Sequence, residues 1–156
     1  MNILIIGNGA REHVFFKLLS DSPAKTNLFS INPNAAILKL SNPIFKPFSF
    51  KLVKEIIKKN KIEMVIVGPE NPLIDGIYDF VKTDAEINHV SVIGPSKNGS
   101  RLEGSKNFAK DFMARNNIPT ASSKTFTKNS FLEACDFIKN SKPPYVLKAD
   151  GPAAGK

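Results

Sequence analysis

Apolar positions in the first ninety residues alternate between two patterns. Asn2–Ile6 (NILII) and residues 28–31, 63–67 (EMVIV) and 90–93 are short, nearly continuous apolar runs, which predict strands buried on both faces. Between them the apolar residues take helical spacing: positions 14, 15, 18 and 19 within 11–20, Leu52, Val53, Ile56 and Ile57 within 51–60, and Leu73, Ile77, Phe80 and Val81 within 73–82. Alternating strands and helices predict an α/β fold with a doubly wound parallel sheet. Its ligands should sit outside the carboxyl ends of the strands. Gly7-Asn8-Gly9, Asn32-Pro33-Asn34, Gly68-Pro69 and Gly94-Pro95 close those ends as turns.

Beyond residue 97 the character changes. Residues 105–117 predict a helix with Ser105 as its cap and Phe108, Phe112 and Met113 inward. A second amphipathic helix is expected over 129–139, and Pro143-Pro144 precede a strand expected over 145–148. A boundary within 96–104 divides residues 1–97 from 98–156. The second part holds too few elements for a core of its own and reads as the opening of a further domain, incomplete here. Its last residues, KADGPAAGK, form a glycine-rich segment of a kind that works with structure on both sides.

Composition narrows the class. At 156 residues, 42% hydrophobic and 23% charged, the chain has ordinary globular usage. Its apolar runs are far too short to span a bilayer, and no secretory signal is visible, so no membrane partner is expected. A single cysteine, Cys135, excludes a disulfide framework and points to a reducing cytoplasmic home. The net charge of +8 invites a nucleic-acid reading, but 19 of the 22 cations are Lys and Asn occurs 15 times. Base-reading surfaces favour Arg, so this is a Lys/Asn bias that implies anionic ligands such as phosphates, not nucleic acid.

Three segments are candidates for chemistry. Residues 7–13 (GNGAREH) follow the first strand and open the first helix, where glycines admit close backbone approach and free N–H groups face an anion. The dinucleotide fingerprint requires a sixth-position glycine, and that position is Glu12, which disfavours a plain Rossmann cofactor site. Arg11 adds a forked cation suited to phosphate. The competing reading is an ordinary turn with Arg11 and Glu12 in solvent. Gly68-Pro69-Glu70 places a carboxylate at the same sheet edge, able to hold a hydroxyl or amine; a plain Gly-Pro turn stands level with that. Residues 151–156 (GPAAGK) have three residues between glycines, one short of the Walker spacing, which rejects a Walker NTPase. Even so, a glycine loop after Lys148 and Asp150 suits polyphosphate. His13 and His89 have no partners at ligand spacing, so no protein-only metal site is expected, and Cys135 reads as a packing residue.

Taken together, GNGAREH at 7–13, GPENPL at 68–73, LEGSKNFAKDF at 102–112, ARNNIPTA at 114–121 and KADGPAAGK at 148–156 resemble the phosphoribosylamine–glycine ligase (glycinamide ribonucleotide synthetase) family of the ATP-grasp superfamily. The resemblance runs through essentially the whole chain, with the motifs in the family's order. It implies a Rossmann-like, pre-ATP-grasp domain followed by the start of an ATP-grasp domain. The implied activity is ATP-dependent ligation of glycine to 5-phosphoribosylamine through glycyl phosphate, the second step of de novo purine synthesis. By the same resemblance Gly7, Asn8, Gly9, Arg11, Glu12, Pro69 and Glu70 bind the phosphoribosyl substrate, and Lys106, Lys148, Gly151, Gly155 and Lys156 bind ATP. Mg2+ or Mn2+ is implied too, with its acidic ligands, like most of the adenine pocket, outside these 156 residues. This chain alone is therefore expected to be inactive, and a monomer is the default expectation.

The sequence departs from the family at Ala10, at Asn32-Pro33-Asn34-Ala35-Ala36 and at Pro152, where the family usually has glycine, Pro-Gly-Asn-Ala-Gly and leucine. The alternatives are another ATP-grasp carboxylate–amine ligase, or a stand-alone nucleotide- or phosphosugar-binding module without catalysis.

Overall fold

The computed structural model describes residues 1–151 and divides into two units, Met1–Ser100 and Arg101–Lys156. In the first, β1 (Asn2–Ile6), β2 (Asn27–Ile31), β3 (Asn42–Ile44), β4 (Met64–Val67) and β5 (Ser91–Ile93) form one sheet in the order β3-β2-β1-β4-β5, with every pairing parallel. Central β1 pairs Ile3 with Leu28 on one side and with Met64 on the other.

Side chains alternate across the pleat, so β1 feeds two cores. Ile3 and Ile5 pack with Phe16, Leu28 and Ile37, under α1 (Ala10–Ser20) and α2 (Ala35–Leu38). Leu4 and Ile6 join the larger core on the opposite face, under α3 (Phe50–Asn60), α4 (Glu70–Asp75) and α5 (Ile77–Thr83). There α3 contributes the four apolar residues its spacing singles out, Leu52, Val53, Ile56 and Ile57, all buried. Ser49 Oγ caps α3 by accepting the Leu52 N–H at 3.1 Å.

The fold corrects the expected helix over 73–82 and the expected inward face of α1, and adds two elements that the patterning did not single out. The helix expected over 73–82 is two helices, because Gly76 adopts φ +100° and turns the chain between α4 and α5. Residues 42–44 form an edge strand despite Pro43; an edge position tolerates a residue without an N–H. The boundary segment 96–104 contains α6 (Lys97–Gly104), anchored by Lys97 N–H donating to Asp79 Oδ2 at 2.6 Å and buried Ser100 Oγ donating to the Leu73 carbonyl at 3.1 Å. Finally, α1 is rotated relative to its apolar spacing. Its inward stripe is Glu12, Phe16 and half-buried Leu19, while Val14, Phe15 and Leu18 are exposed.

The second unit carries α7 (Lys106–Arg115), a 3-10 turn (Lys128–Ser130) and α8 (Phe131–Lys139). Ser105 Oγ caps α7 by accepting the Phe108 N–H at 3.1 Å, and Arg101 stacks 3.9 Å from the Phe108 ring centre. Cys135 is half-buried on α8, and no described side chain after Ser100 is fully buried. The strand expected over 145–148 does not form among the described residues. Tyr145, Val146 and Leu147 are exposed, and without a ladder partner an apolar run gains nothing by extending.

Candidate functional site

The sheet order reverses between β1 and β4, whose carboxyl ends lie side by side: Gly68 N–H donates to the Ile6 carbonyl at 3.0 Å. This is the topological switch point, where the crossover connections diverge and leave a crevice. The loops at 7–9 and 68–69 emerge here, so the structure brings together Gly7, Asn8, Gly9, Arg11, Glu12, Pro69 and Glu70.

Glu12 shapes this edge. It is the third residue of α1 and only 4% exposed, and its Oε2 accepts the Gly9 N–H at 2.7 Å, one of the first-turn donors a helix leaves unpaired. Its other oxygen, Oε1, is buried without a hydrogen-bond partner. Arg11 lies more exposed, its Nε 3.8 Å from Glu12 Oε1 and its Nη2 3.9 Å from Glu70 Oε2. It thus stands between two carboxylates, with forked donors still available to an anion. The expectation of a solvated Glu12 in the plain-turn reading is wrong, because position 12 belongs to the inward stripe of α1.

A second layer comes from Asn32 and Asn34, which sequence reasoning did not connect to the site, bonded to Asn8, which it did. Asn34 Nδ2 donates to the Asn8 carbonyl at 2.6 Å, while Asn34 Oδ1 caps α2 by accepting the Ala36 and Ile37 N–H groups, both at 2.9 Å. Asn8 Nδ2 donates to the Asn32 carbonyl at 3.3 Å, and Asn32 takes φ +45°, a left-handed conformation that Asn tolerates. The loops after β1 and β2 are knitted by the Asn8 and Asn34 side chains, with Asn32 contributing its backbone carbonyl. The available signal was their shared residue type at two turn positions following adjacent strands.

In the second unit, Asp150 grips the start of α7. Its carboxylate accepts from Ser105 Oγ at 3.0 Å and from the Lys106 and Asn107 N–H groups at 2.6 and 3.3 Å. Partial burial pushes the carboxyl up, but the donors Ser105, Asn107, Lys106 and Gly151 outweigh it and hold it below its ordinary value. Half-buried Lys106 donates its Nζ to the Gly151 carbonyl, whereas Lys148 is exposed. Lys106 and Gly151 are therefore brought together; Gly155 and Lys156, like Pro152, lie outside the described residues. Among the described residues no group of three His, Cys, Asp or Glu side chains is arranged to hold a metal, and no helix is long and apolar enough to cross a membrane.

The phosphoribosylglycinamide synthetase N-domain model matches residues 1–103, and the ATP-grasp (A) domain model of the same synthetase matches residues 104–156. The phosphoribosylamine–glycine ligase of Mesorhizobium japonicum is 40% identical over 162 residues, which span 100% of this chain and 36% of that protein. A bifunctional purine biosynthetic protein of Pichia angusta is also 40% identical, over 100% of this chain and 20% of its own length. The crystal structure of the phosphoribosylamine–glycine ligase of Thermotoga maritima superposes with a TM-score of 0.69 at 28% identity, covering 100% of this chain and 34% of that one. The chain thus spans about a third of the length of the single-function ligases it matches. With both domain models in sequence and the glycine loops meeting at the switch point, the chain belongs to the phosphoribosylglycinamide synthetase family.

Proposed function

We infer that this chain is the phosphosugar-side portion, with the opening of the ATP-binding portion, of a ligase that joins glycine to 5-phosphoribosylamine at the expense of ATP. The observation that carries the reading is the pair of glycine loops at the β1/β4 switch point, with Arg11 held between Glu12 and Glu70 in a chain matched end to end by the family's two domain models. A carboxylate is a poor electrophile, so glycine must be activated as an acyl phosphate before the amine attacks its carbonyl carbon and phosphate leaves.

In this reading residues 1–97 and 98–156 divide the labour. Gly7, Asn8, Gly9, Arg11, Pro69 and Glu70 receive the phosphoribosyl end, through loop amides and a guanidinium suited to a phosphate monoester. Lys106, Lys148, Gly151, Gly155 and Lys156 serve the ATP phosphates. Mg2+ or Mn2+, when bound, would neutralise charge on the transferring phosphoryl group, and its ligands belong to parts of the family fold beyond these residues. The protein acts as a cytoplasmic monomer, and the chain by itself does not complete the reaction.

The test is a titration of the isotope-labelled chain followed by backbone NMR. Ribose 5-phosphate should shift the amides of residues 7–12 and 68–70, and ATP those of Lys106 and Lys148. Mixing the chain with ATP, Mg2+, glycine and 5-phosphoribosylamine should release no phosphate. A chimera carrying this chain in place of the matched segment of the Mesorhizobium japonicum ligase should release it in a glycine-dependent way. Ribose 5-phosphate shifts confined to other surfaces, together with a dead chimera, would overturn the reading.

A further inference from the structure

Gly68 is not glycine for reasons of backbone conformation. Its φ does not fall in the left-handed region, unlike that of Gly7, Gly76 and Gly94. Space is the constraint: a Cβ at position 68 would lie 2.1 Å from Glu12 Oε1 and 2.6 Å from its Cδ. The same carboxylate crowds Gly7, where a Cβ would meet Glu12 Cδ and Cγ at 2.7 Å and Pro69 Cδ at 2.8 Å, and it stands 3.0 Å from a Cβ at Gly9. Three glycines from two loops therefore surround one side chain. The close approach they permit is to Glu12, from inside the protein.

Glu12 is also costly where it lies. A buried acceptor without a partner costs stability, and such groups persist where a site needs them. A bare helix cap would require only Oε2 and would tolerate solvent. Here the whole carboxylate is enclosed between the β1–α1 and β4–α4 loops, joined to the first by the Gly9 hydrogen bond and packed against the second at Gly68.

We propose that Glu12 is a positioning residue, an internal strut whose carboxylate sets the spacing of the 7–9 and 68–70 loops and the placement of Arg11 between them, rather than a direct substrate ligand. Its oxygen at Gly9 takes the outermost N–H, leaving later first-turn amides as the donors offered to an anion. Its Oε1 stands 3.8 Å from Arg11 Nε, so the negative charge of the strut is answered by the cation that faces the ligand. Only the ligand arm of the following test rests on the phosphosugar reading proposed above.

The experiment is a double-mutant cycle on the full 156-residue chain, using Glu12→Ala, Gly68→Ala and the pair, with Glu12→Asp as a variant that keeps the charge but is one methylene short. Gly68→Ala should lower Tm by roughly 5–10 °C in the wild-type background and by under about 2 °C where Glu12 is already Ala, because the clash leaves with the carboxylate. If Glu12→Ala does not fold, Glu12→Asp takes its place in the cycle. The Gly9 amide should lose about tenfold or more of its exchange protection in Glu12→Asp, and ribose 5-phosphate affinity should fall by about tenfold although the charge remains. Equal Tm losses in both backgrounds, no loss in either, or an unmoved Gly9 amide in Glu12→Asp would each overturn the strut. Failure of the wild type to bind ribose 5-phosphate would count against the phosphosugar reading alone, and the cycle and the Gly9 amide would still decide the role of Glu12.

Discussion

The rotation of α1 makes a sharp prediction, because apolar spacing and three-dimensional packing disagree about which side chain holds the helix down. Phe16 is 0% exposed and is the one α1 residue in the five-member buried cluster of Ile3, Ile5, Phe16, Leu28 and Ile37. Leu18, two positions on, is 64% exposed. A buried aromatic side chain removes roughly 150 Å² or more from water. Truncation to Ala gives back most of that, about 3 kcal/mol at ~25 cal/mol/Å². The unfilled space adds to this, and the total for Phe→Ala falls at about 3–5 kcal/mol. The cluster is small and lies under only two helices, so little can collapse into the gap. Leu18→Ala, by contrast, should stay within about 0.5 kcal/mol. Urea unfolding followed by circular dichroism is the assay. With m of about 1–3 kcal/mol/M, Phe16→Ala should lower the midpoint by at least about 1 M, if it leaves a folded baseline at all. Equal shifts for the two variants, or a larger one for Leu18→Ala, would refute the packing described for α1.

Other expectations follow from particular contacts. Glu86 is held at about 2, first by the hydrogen bond from Lys54 and then by that from Lys58, and Asp84 is held below its ordinary value chiefly by Lys54. Both contribute stability present above their unfolded values and lost as pH falls through the folded ones. The urea midpoint should therefore drop between about pH 4.5 and 2, less steeply in Lys54→Met. The same pairing raises Lys54, so its share is complete below about 10.5 and disappears as pH rises through the higher folded value. Gly76→Ala forces a side chain into φ +100° beside Lys97 and should cost about 1–3 kcal/mol by urea melt; an unchanged midpoint would count against a backbone role there. Asp150→Ala releases the start of α7, so hydrogen exchange at the Lys106 and Asn107 amides should accelerate by about tenfold, with exchange elsewhere in α7 changing less.

The parallel sheet was legible because a strand covered on both faces must be apolar at every position, and NILII and EMVIV leave no other economical reading. Helix α3 was equally legible, since its apolar residues all face one way. Reading failed where a polar residue is buried or an apolar one exposed. Glu12 takes an inward position that periodicity assigns to carbon, which moved the expected face of α1 onto Val14, Phe15 and Leu18. Residues 42–44 carry one well-placed apolar side chain and a proline, too little for any pattern, and become a strand only because Phe29 to Ile31 offer a ladder. Glycine loops were recognised at the correct sheet edge. What makes Gly68 glycine, however, is a side chain 56 positions away in sequence, a constraint that exists only once β1 and β4 are neighbours.

That adjacency also bears on how the chain is made. Strand β1 is synthesised before the other strands of this sheet, yet it occupies the middle, and its second edge stays open until Met64 and its neighbours have been synthesised. At about 5–20 residues per second, the interval is on the order of 3–12 s. Through that time a strand apolar from Ile3 to Ile6 can pair only with β2, leaving a row of backbone donors and acceptors bare toward other chains. Vectorial synthesis thus exposes the most aggregation-prone edge of this fold for longest, and slowing translation before residue 64 would lengthen that exposure.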